Sequence, residues 1–516
     1  MPVFPRNAVH AGTEAGLTSV FKWERVEPCP YGRPISYFTA AIFKSFYDSD
    51  LESINFINKT MVVRNVKRIC VVGTGYVGSV TGACLAEKGN YVVCVDNQPT
   101  KIAQWNSSRL PLVETGLDEI VFKNRGKRLF FSSDSAKAIK NSEIIFECVN
   151  TPQKEKGFDR GSFDMQYVDA VAREIARYSN SYKIVVQKST VPCGTARRLE
   201  EIIKAEKPAL KFSIVSNPEF LAEGSAVKDF MNPDRTVIGL RLADKKAKKA
   251  MADLYSFVAP EKMLYTTIES AELIKLASNA MLANRISLIN SIAQLCEKTG
   301  GDIEEIAKGV GMDKRIGPYF LKAGIGFGGS CFKKDLNALV HLFNIHHLAK
   351  QANFFKNILD INQCQRENLI IEMKEALFSL PKKTVAVYGI SFKPDTDDLR
   401  DAPAIDACKK LMEEGALLKI YDPQAMRKIS EHFKSKRHRN YSLCEDPYDA
   451  AIGADAIALV TDWNCFKSGN LNLKKVRSSM NKPAWIFDCR NIYDPKELYA
   501  LGFNYVGVGR QKLAHK

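Results

Sequence analysis

Short apolar runs alternate with amphipathic stretches through most of the chain beyond about residue 60. Residues 69–96 (ICVVGTGYVGSVTGACLAEKGNYVVCVD) hold an apolar run, a glycine-rich turn, a helical stretch and a second apolar run. Short apolar runs bounded by glycine are typical of strands buried in a parallel sheet. The pattern recurs in SEIIFECVN (142–150), YKIVVQKST (182–190) and KFSIVSNPEF (211–220). It predicts an α/β fold with a doubly wound parallel sheet that carries helices on both faces.

The pattern changes after residue 268. Residues 270–299 contain neither proline nor glycine, and their apolar positions recur at steps of three and four. This spacing predicts one long helix, with Ser270 as its N-cap and Gly300 as its end. Long helices between domains often form dimer surfaces, so we expect a homodimer or a higher homo-oligomer.

A second α/β unit follows the helical region. Residues 384–425 repeat the scheme of strand, glycine, helix and strand, and AAIGADAIALVTDW (450–463) resembles KAIKNSEIIFECVNTP (137–152). We therefore predict two Rossmann-like domains joined by a long central helix and a helical middle domain. The predicted boundaries are 1–60 for an N-terminal extension of unknown order, 61–268, 269–380 and 381–516.

Composition narrows the class of protein. The chain has 516 residues, is 45% hydrophobic and 26% charged, and contains no apolar run long enough to cross a membrane. Its 13 cysteines include no CxxC pair, so we expect reduced thiols and a cytoplasmic location. The formal net charge is +16, but the lysines are dispersed and no zinc-finger spacing is present. We expect neither nucleic-acid nor membrane binding, and no bound metal.

The glycine-rich turn has the spacing of a dinucleotide site. Gly73, Gly75 and Gly78 form GxGxxG between a predicted strand and helix, with Tyr76 and Val77 inside the motif and Asp96 at the end of the next strand. The first glycine permits the tight turn, the second the approach of the pyrophosphate, and the third the packing of helix on strand. Asp96 would accept hydrogen bonds from ribose hydroxyls and repel a 2′-phosphate. NAD is therefore the predicted cofactor.

A cysteine in a bare segment suggests covalent chemistry. Cys331 follows the glycines of GFGGSCFKKD (326–335). A dinucleotide site together with a thiol indicates redox chemistry at a carbonyl, with the thiolate trapping the aldehyde. We expect Lys333 and Lys334 to lower the pKa of this thiol.

Eight motifs in order resemble the UDP-glucose 6-dehydrogenases, within the nucleotide-sugar dehydrogenases. They span roughly residues 65 to 495. The motifs are GTGYVG (73–78), VNTP (149–152), KSTVP (188–192), SNPEFLAEG (216–224), NPDR (232–235), AELIKLASNA (271–280), GFGGSCFKKD (326–335) and SFKPDTDDLRDAP (391–403).

The resemblance implies that UDP-glucose is oxidised twice by NAD to UDP-glucuronate, through a thiohemiacetal and a thioester on Cys331. It implies that Asp335 and Lys275 orient water and stabilise an oxyanion, and that Asn279 positions the substrate. Glu219 would act as acid and base, and Thr190 would hold a water molecule. Independently, Lys275 and Asn279 stand four residues apart, so they share one face of the predicted helix.

The resemblance also implies the binding residues. Arg315 would reach substrate across a subunit boundary, and the C-terminal domain would bind the UDP-sugar. The other implied substrate residues, besides Glu219, Lys275 and Asn279, are Phe220, Leu221, Phe320, Leu321, Lys322, Phe327, Gly328, Lys393 and Arg490. The implied cofactor residues outside the glycine motif and Asp96 are Lys101, Thr151, Thr190, Glu223, Lys334 and Arg400. The bare glycine backbone before Cys331 would let the sugar carbon approach the sulfur.

Some positions depart from that pattern, and some alternatives stay open. Related sequences commonly carry glutamate at the position of Gln187, and an apolar or small residue at the position of Glu147. Glu147 would weaken NAD binding or point to solvent. Thr115 stands where proline is frequent. A GDP-mannose 6-dehydrogenase and a non-catalytic nucleotide-sugar binder are the alternatives, whereas Ser330 argues against N-acetylhexosamine substrates.

Overall fold

The computed structural model describes residues 66–154, 161–435 and 440–515. The predicted extension over residues 1–60 lies outside these ranges.

The first half of the described chain builds an eight-stranded sheet in the order β3-β2-β1-β4-β5-β6-β7-β8. Its strands are β1 (Arg68–Val72), β2 (Tyr91–Val95), β3 (Leu129–Ser132), β4 (Ile144–Glu147), β5 (Lys183–Gln187), β6 (Phe212–Ser216), β7 (Thr236–Gly239) and β8 (Met263–Thr266). The first six strands are mutually parallel, β7 contacts β6 in the antiparallel sense, and β8 runs parallel to β7. The order 3-2-1-4-5-6 is that of dinucleotide-binding domains.

Helices cover both faces of this sheet. They are α1 (Tyr76–Glu87), α2 (Pro99–Asn106), α3 (Leu117–Asn124), α4 (Ser135–Asn141), α5 (Gln166–Tyr178), α6 (Thr195–Glu206), α7 (Ala226–Met231) and α8 (Lys245–Leu254), with a 3₁₀ turn at Pro260–Lys262. Two apolar clusters, one on each face, explain why the strand runs are almost uniformly buried.

Four helices form the middle region: α9 (Ile268–Thr299), α10 (Ile303–Gly311), α11 (Phe332–Ile345) and α12 (Ala349–Leu377). The end of α9 was predicted correctly, since Gly300 adopts a left-handed conformation with φ of 82°. The predicted N-cap was wrong by three residues. Thr267 caps the helix, because its hydroxyl accepts the N–H of Ser270.

The second sheet repeats the order of the first six strands, β11-β10-β9-β12-β13-β14, and is parallel throughout. Its strands are β9 (Thr384–Tyr388), β10 (Leu417–Tyr421), β11 (Tyr441–Leu443), β12 (Ala456–Leu459), β13 (Trp485–Asp488) and β14 (Asn504–Gly507). Its helices are α13 (Pro403–Glu413), α14 (Met426–Ser435), α15 (Pro447–Ala451), α16 (Leu473–Ser479) and α17 (Pro495–Ala500), with a 3₁₀ turn at Asn464–Phe466. The predicted class, two Rossmann-like parallel sheets and a helical middle region, is confirmed.

None of the described helices combines the length and the apolar character that a bilayer crossing requires.

Candidate active site

Helix α9 presents two polar side chains to the segment that carries Cys331. Asn279 donates from Nδ2 to Oδ2 of Asp335 at 2.6 Å, and both side chains are buried. Lys275, one turn earlier, pairs through Nζ with Oε1 of Glu219 at 2.9 Å. The fields of Glu219, Lys275 and Asp335 all act on the thiol of Cys331, so the long helix helps to gather four polar residues around one sulfur.

The pair of Lys275 and Glu219 is buried and ionised. Burial would raise the pKa of Glu219, but the attraction of Lys275 holds it below its usual range. Burial would lower the pKa of Lys275, but Glu219 and then Asp335 hold it above its usual range. An ammonium ion is therefore fixed beside the thiol, where it can stabilise negative charge on a nearby oxygen.

Cys331 itself lies at an exposed position immediately before α11. Burial of its sulfur among protein atoms, followed by the field of Glu219, raises the pKa of the thiol, and Lys275 and Lys334 offset this only in part. Lys334 therefore acts on this pKa in the predicted direction, but it does not bring the pKa below its ordinary value. Lys333 instead pairs with Asp401 at 3.5 Å. The protonated thiol is therefore favoured.

The glycine motif has the geometry that a dinucleotide turn requires. Gly73 has φ of +100°, and a Cβ there would lie 2.6 Å from the carbonyl oxygen of Cys148. A Cβ on Gly78 would lie 1.9 Å from the carbonyl oxygen of Gly73. A Cβ on Gly75 would meet Oδ1 of Asn150 at 3.7 Å, an ordinary contact distance, so the middle glycine is not crowded by protein atoms as the other two are. Val77 packs against the adjoining apolar cluster.

Asp96 and Lys101 form one unit beside this turn. Asp96 accepts from Thr74 N–H at 2.9 Å and from Lys101 Nζ at 2.8 Å. Burial would raise the pKa of Asp96, but the hydrogen bonds from Lys101 and Thr74 hold it below its usual value. The carboxylate is thus kept ionised at the edge of the turn, where it can accept from hydroxyl groups.

A cleft of about 800 Å³ lies between the glycine turn and the loop after β9. Gly75, Tyr76 and Glu223 line one side, and Arg400 and Asp401 the other. Arg400 Nη2 donates to Glu223 at 3.0 Å and to Asp398 at 2.6 Å. Burial and the neighbouring Asp398 raise the pKa of Glu223 to about 7.

Lys334 connects the thiol segment with the end of β4. Its Nζ donates to Oγ1 of Thr151 at 3.3 Å and lies 3.4 Å from Oδ1 of Asp335. Thr151 in turn donates to the carbonyl oxygen of Thr190 at 2.8 Å. Three residues predicted from sequence to bind cofactor are therefore joined by one chain of contacts.

The expected substrate residues fall into separate groups. Lys322 Nζ lies 3.1 Å from Asp462, and Arg490 Nε lies 4.0 Å from the same carboxylate. Nζ of Lys393 lies 5.6 Å from the ring centroid of Phe392, and burial lowers the pKa of this lysine. Arg315 is not brought to Cys331: its side chain is 89% exposed and pairs with Asp313.

The expected substrate residues also include aromatic and apolar side chains. The ring of Phe220 lies 5.5 Å from Nζ of Lys275, and the backbone N–H of Leu221 donates to Glu219 at 2.7 Å. Leu321 is buried, whereas Phe320 is exposed and has φ of 60°.

The glycines before Cys331 have a packing role that was not predicted. A Cβ on Gly326 would lie 2.7 Å from Oδ1 of Asn362, and one on Gly328 would lie 2.5 Å from the carbonyl oxygen of Asp401. A Cβ on Gly329 would lie 2.9 Å from the ring of Phe392. The idea that these glycines leave room for a sugar was therefore incomplete, because protein atoms fill the space beside all three.

Buried polar residues on the helices hold this segment, and sequence analysis missed them. Asn362 binds both the N–H and the carbonyl oxygen of Phe327, at 2.8 and 3.1 Å. Arg366 also donates to the carbonyl oxygen of Phe327, and Asn290 accepts from Gly324 N–H at 2.9 Å. The only signal in the sequence was the presence of amides within otherwise apolar helix faces.

Glu114 was missed in the same way. Its carboxylate accepts from the N–H groups of Gly224 and Ala226, at 2.6 and 2.8 Å, and from the hydroxyl of Tyr76. It thereby fastens the segment with Glu223 beside the first turn of α1.

Comparisons with known proteins identify the family of this chain. Three models of the UDP-glucose/GDP-mannose dehydrogenase family match: the NAD binding domain at residues 67–259, the central domain at 269–364 and the UDP binding domain at 386–495. The chain belongs to the UDP-glucose/GDP-mannose dehydrogenase family. The resemblance seen in the sequence is confirmed.

Individual members of the family resemble the chain over most of its length. UDP-glucose 6-dehydrogenase 1 of Arabidopsis thaliana is 42% identical over 468 residues, which cover 86% of this chain and 97% of the relative. UDP-glucose 6-dehydrogenase of Pongo abelii is 42% identical over 466 residues, 86% and 94% of the two chains. The solved structure of a UDP-glucose dehydrogenase from Pyrobaculum islandicum is 31% identical, with a TM-score of 0.78, and the match covers 87% of this chain and 99% of that one.

Proposed function

We propose that this chain oxidises UDP-glucose to UDP-glucuronate with NAD, through a thioester on Cys331. The observation that carries the proposal is the convergence of Lys275, Glu219, Asn279 and Asp335 on the sulfur of Cys331. Relatives 42% identical are UDP-glucose 6-dehydrogenases, which supports this substrate.

The residues of the turn fit NAD. Gly75 lines the cleft where a pyrophosphate would approach, and Asp96 offers a carboxylate to ribose hydroxyls. When bound, NAD would accept a hydride from the alcohol carbon. We assign seven further residues of the cleft and its adjoining loops to cofactor binding: Tyr76, Lys101, Thr151, Thr190, Glu223, Lys334 and Arg400.

The protein's residues would perform the remaining steps. Glu219, ionised beside Lys275, would take the proton of the C6 hydroxyl, directly or through water, as the hydride leaves. The Cys331 sulfur, after losing its proton, would bond to the resulting aldehyde carbon and give a thiohemiacetal. Lys275 and Asn279 would stabilise the oxygen anion.

Transfer of a second hydride from the thiohemiacetal carbon to a second NAD, with release of the hydroxyl proton, would convert the thiohemiacetal into a thioester. Asp335, held by Asn279, would orient a water molecule whose oxygen attacks the thioester carbon. Cleavage of the carbon–sulfur bond would release the carboxylate and return the thiol. Thr190 would position that water. We assign Phe220, Leu221, Lys322, Lys393 and Arg490, together with the 320–328 segment, to binding of the nucleotide sugar.

We further propose a homodimer that pairs through α9. Leu273, Met281, Leu288 and Leu295 are exposed and spaced by eight, seven and seven residues, so they form one stripe. Arg285 lies between Met281 and Leu288 on this side of the helix and donates to the carbonyl oxygens of Ile316 and Gly317. The loop that carries Arg315 is therefore attached to the stripe, where Arg315 would reach a partner's substrate.

Turnover of the full chain with NAD and each nucleotide sugar tests the proposed reaction. UDP-glucose should yield two NADH per sugar, and the Cys331→Ala variant should lose UDP-glucuronate formation by on the order of 10⁴-fold or more, since no thioester can form. Cys364→Ala, which removes an exposed cysteine of α12, is the matched control and should keep full activity. Turnover of GDP-mannose in preference to UDP-glucose, or normal UDP-glucuronate release by Cys331→Ala, would overturn the proposal.

A further inference from the structure

A row of polar side chains crosses the first sheet at the carboxyl ends of its strands. The row consists of Glu147, Gln187 and Ser216, which stand side by side in the register of the sheet. Val72 stands on the other side of Glu147. Glu147, Gln187 and Ser216 are at most 1% exposed. The predicted possibility that Glu147 points to solvent is therefore wrong.

Glu147 and Gln187, two positions that depart from related sequences, are therefore neighbours in the sheet. Glu147 and Gln187 face one another on adjacent parallel strands, so the row contains one carboxyl and one amide. Two carboxyls side by side in such a buried position would repel each other if both were ionised. The pairing of Glu147 with a glutamine avoids that repulsion.

The carboxyl of Glu147 ties together two turns. Its Oε1 accepts from Val149 N–H at 2.9 Å and from the Ser189 hydroxyl at 2.9 Å, and that hydroxyl also lies 2.7 Å from the carbonyl oxygen of Val149. Gln187 donates from its amide to the carbonyl oxygen of Ser189. Oε2 of Glu147 is buried and has no hydrogen-bond partner in the part of the chain that the structure describes.

Both turns border the proposed cofactor site. Asn150 lines the cleft and is the nearest neighbour of Gly75, while Thr151 and Thr190 are joined by a hydrogen bond. The backbone of Cys148 and Val149 also packs against Gly73 within 2.6 to 3.0 Å of where a Cβ would stand. A shift of either turn would move the surface that receives the dinucleotide.

We propose that Glu147, coupled to Gln187, is a positioning residue for NAD: its carboxyl holds the turns after β4 and β5 in the conformation that binds the cofactor. In this role Glu147 contacts neither the cofactor nor the substrate. The inference rests on the proposed function, because it assigns the role through the NAD site.

NADH titration of the full-length protein by fluorescence tests this role. We expect Glu147→Ala to raise the Kd for NADH about tenfold, which corresponds to about 1.4 kcal/mol, and to leave the Kd for UDP-glucose within about twofold. Gln187→Glu, which places two acids side by side, should weaken NADH binding to a similar extent. The exchanged variant Glu147→Gln/Gln187→Glu keeps one acid and one amide, so it should bind NADH within about twofold of the parent.

Asp455→Asn is the control for a merely structural effect. Asp455 also joins separate segments, since it accepts from Thr384 N–H at 2.8 Å, but it lies at the start of β12 in the second sheet. It should change stability without changing the Kd for NADH. The exchanged variant preserves the groups and their volume, which keeps the test valid if a single variant fails to fold.

The outcomes separate the inference from the proposed function. If Glu147→Ala binds NADH as tightly as the parent, or if the exchanged variant is as weak as Gln187→Glu, the positioning role is refuted while the NAD site stands. If the parent itself does not bind NADH, the proposed function fails.

Discussion

At the scale of single residues, the buried pair of Lys275 and Glu219 dominates the electrostatics of the candidate site. Each side chain is 6% exposed, so each charge has lost most of its hydration. Burial of one such charge without the other is far less favourable than burial of both. The pair therefore stabilises the ammonium beside Cys331 only as long as both members are present.

Lys275→Met should destabilise the chain by about 3 kcal/mol or more, because Glu219 is left buried without a cation. Denaturant midpoints measure the loss, and Lys275→Met/Glu219→Gln should recover part of it. Lys204→Met removes a 60% exposed lysine from Glu200, which keeps Arg241 as a partner, so it should cost less than about 1 kcal/mol. Equal losses for the two lysines would contradict this account.

Glu147 should make stability depend on pH. Burial raises its pKa from 4.5 to about 7, and the neutral donors Val149, Ser189 and Gln187 lower it only in part. Between these two values the folded chain holds a proton that the unfolded chain has released, so the free energy of unfolding falls as pH rises through this window.

Glu147→Gln removes this titration while keeping the Oε1 acceptor. Between about pH 4.5 and about pH 8, we expect the stability of this variant to gain roughly 3 kcal/mol relative to that of the parent. Denaturation midpoints at both pH values measure it. A constant difference between variant and parent would mean that Glu147 does not titrate in this window.

At the scale of elements, one face of α9 contributes residues to the candidate active site, and the opposite face forms the proposed dimer surface. Lys275 and Asn279 lie on its buried side together with Glu272, whose carboxylate accepts from Gly194 and Ala196 N–H at the start of α6. The opposite side carries the exposed apolar stripe from Leu273 to Leu295. One helix thus connects the NAD domain and the thiol segment, and leaves an apolar surface to be covered.

Leu288→Glu should convert the proposed homodimer into a monomer, because it places a charge in the middle of the stripe. Sedimentation velocity measures the mass. Leu242→Glu is the control, since Leu242 is 70% exposed and lies outside α9. A parent chain that sediments as a monomer would refute the dimer.

At the scale of the whole molecule, the glycine segment is the joint between the middle helices and the second sheet. Gly326 packs on α12, whereas Gly328 and Gly329 pack on Asp401 and Phe392, which follow β9. Arg366 of α12 pairs with Asp401 at 3.0 Å and donates to the carbonyl oxygen of Phe327. The position of Cys331 therefore depends on how the second Rossmann unit docks.

Gly328→Ala should lower activity at least about tenfold and stability by about 1–3 kcal/mol, since its Cβ would meet backbone at 2.5 Å. NADH formation and denaturation midpoints measure the two effects. Gly309→Ala in α10 is the matched control: its Cβ meets nothing within 4 Å, so it should be neutral or stabilising by up to about 1 kcal/mol. Full activity of Gly328→Ala would show that the joint tolerates movement.

Both Rossmann units carry an aspartate directly after their second strand, but the surroundings of the two carboxylates differ. Asp422 follows β10 as Asp96 follows β2. Asp422, however, accepts from Ile390 and Ser391 N–H, at 2.7 and 3.0 Å, and from the indole of Trp463 at 3.2 Å. Asp422 is completely buried, whereas Asp96 is partly exposed, so this position cannot receive a ribose as Asp96 can.

The sequence by itself determined the elements, the two parallel sheets and the dinucleotide turn, because apolar periodicity and glycine spacing act within a few residues along the chain. It also placed Lys275 and Asn279 on one helix face. Only the tertiary structure decided which charges meet: Asn279 and Asp335 are 56 positions apart, and Lys333 turned to Asp401 instead of the thiol. Local patterns do not specify such partners, since they depend on how separate elements pack and how deeply each charge is buried.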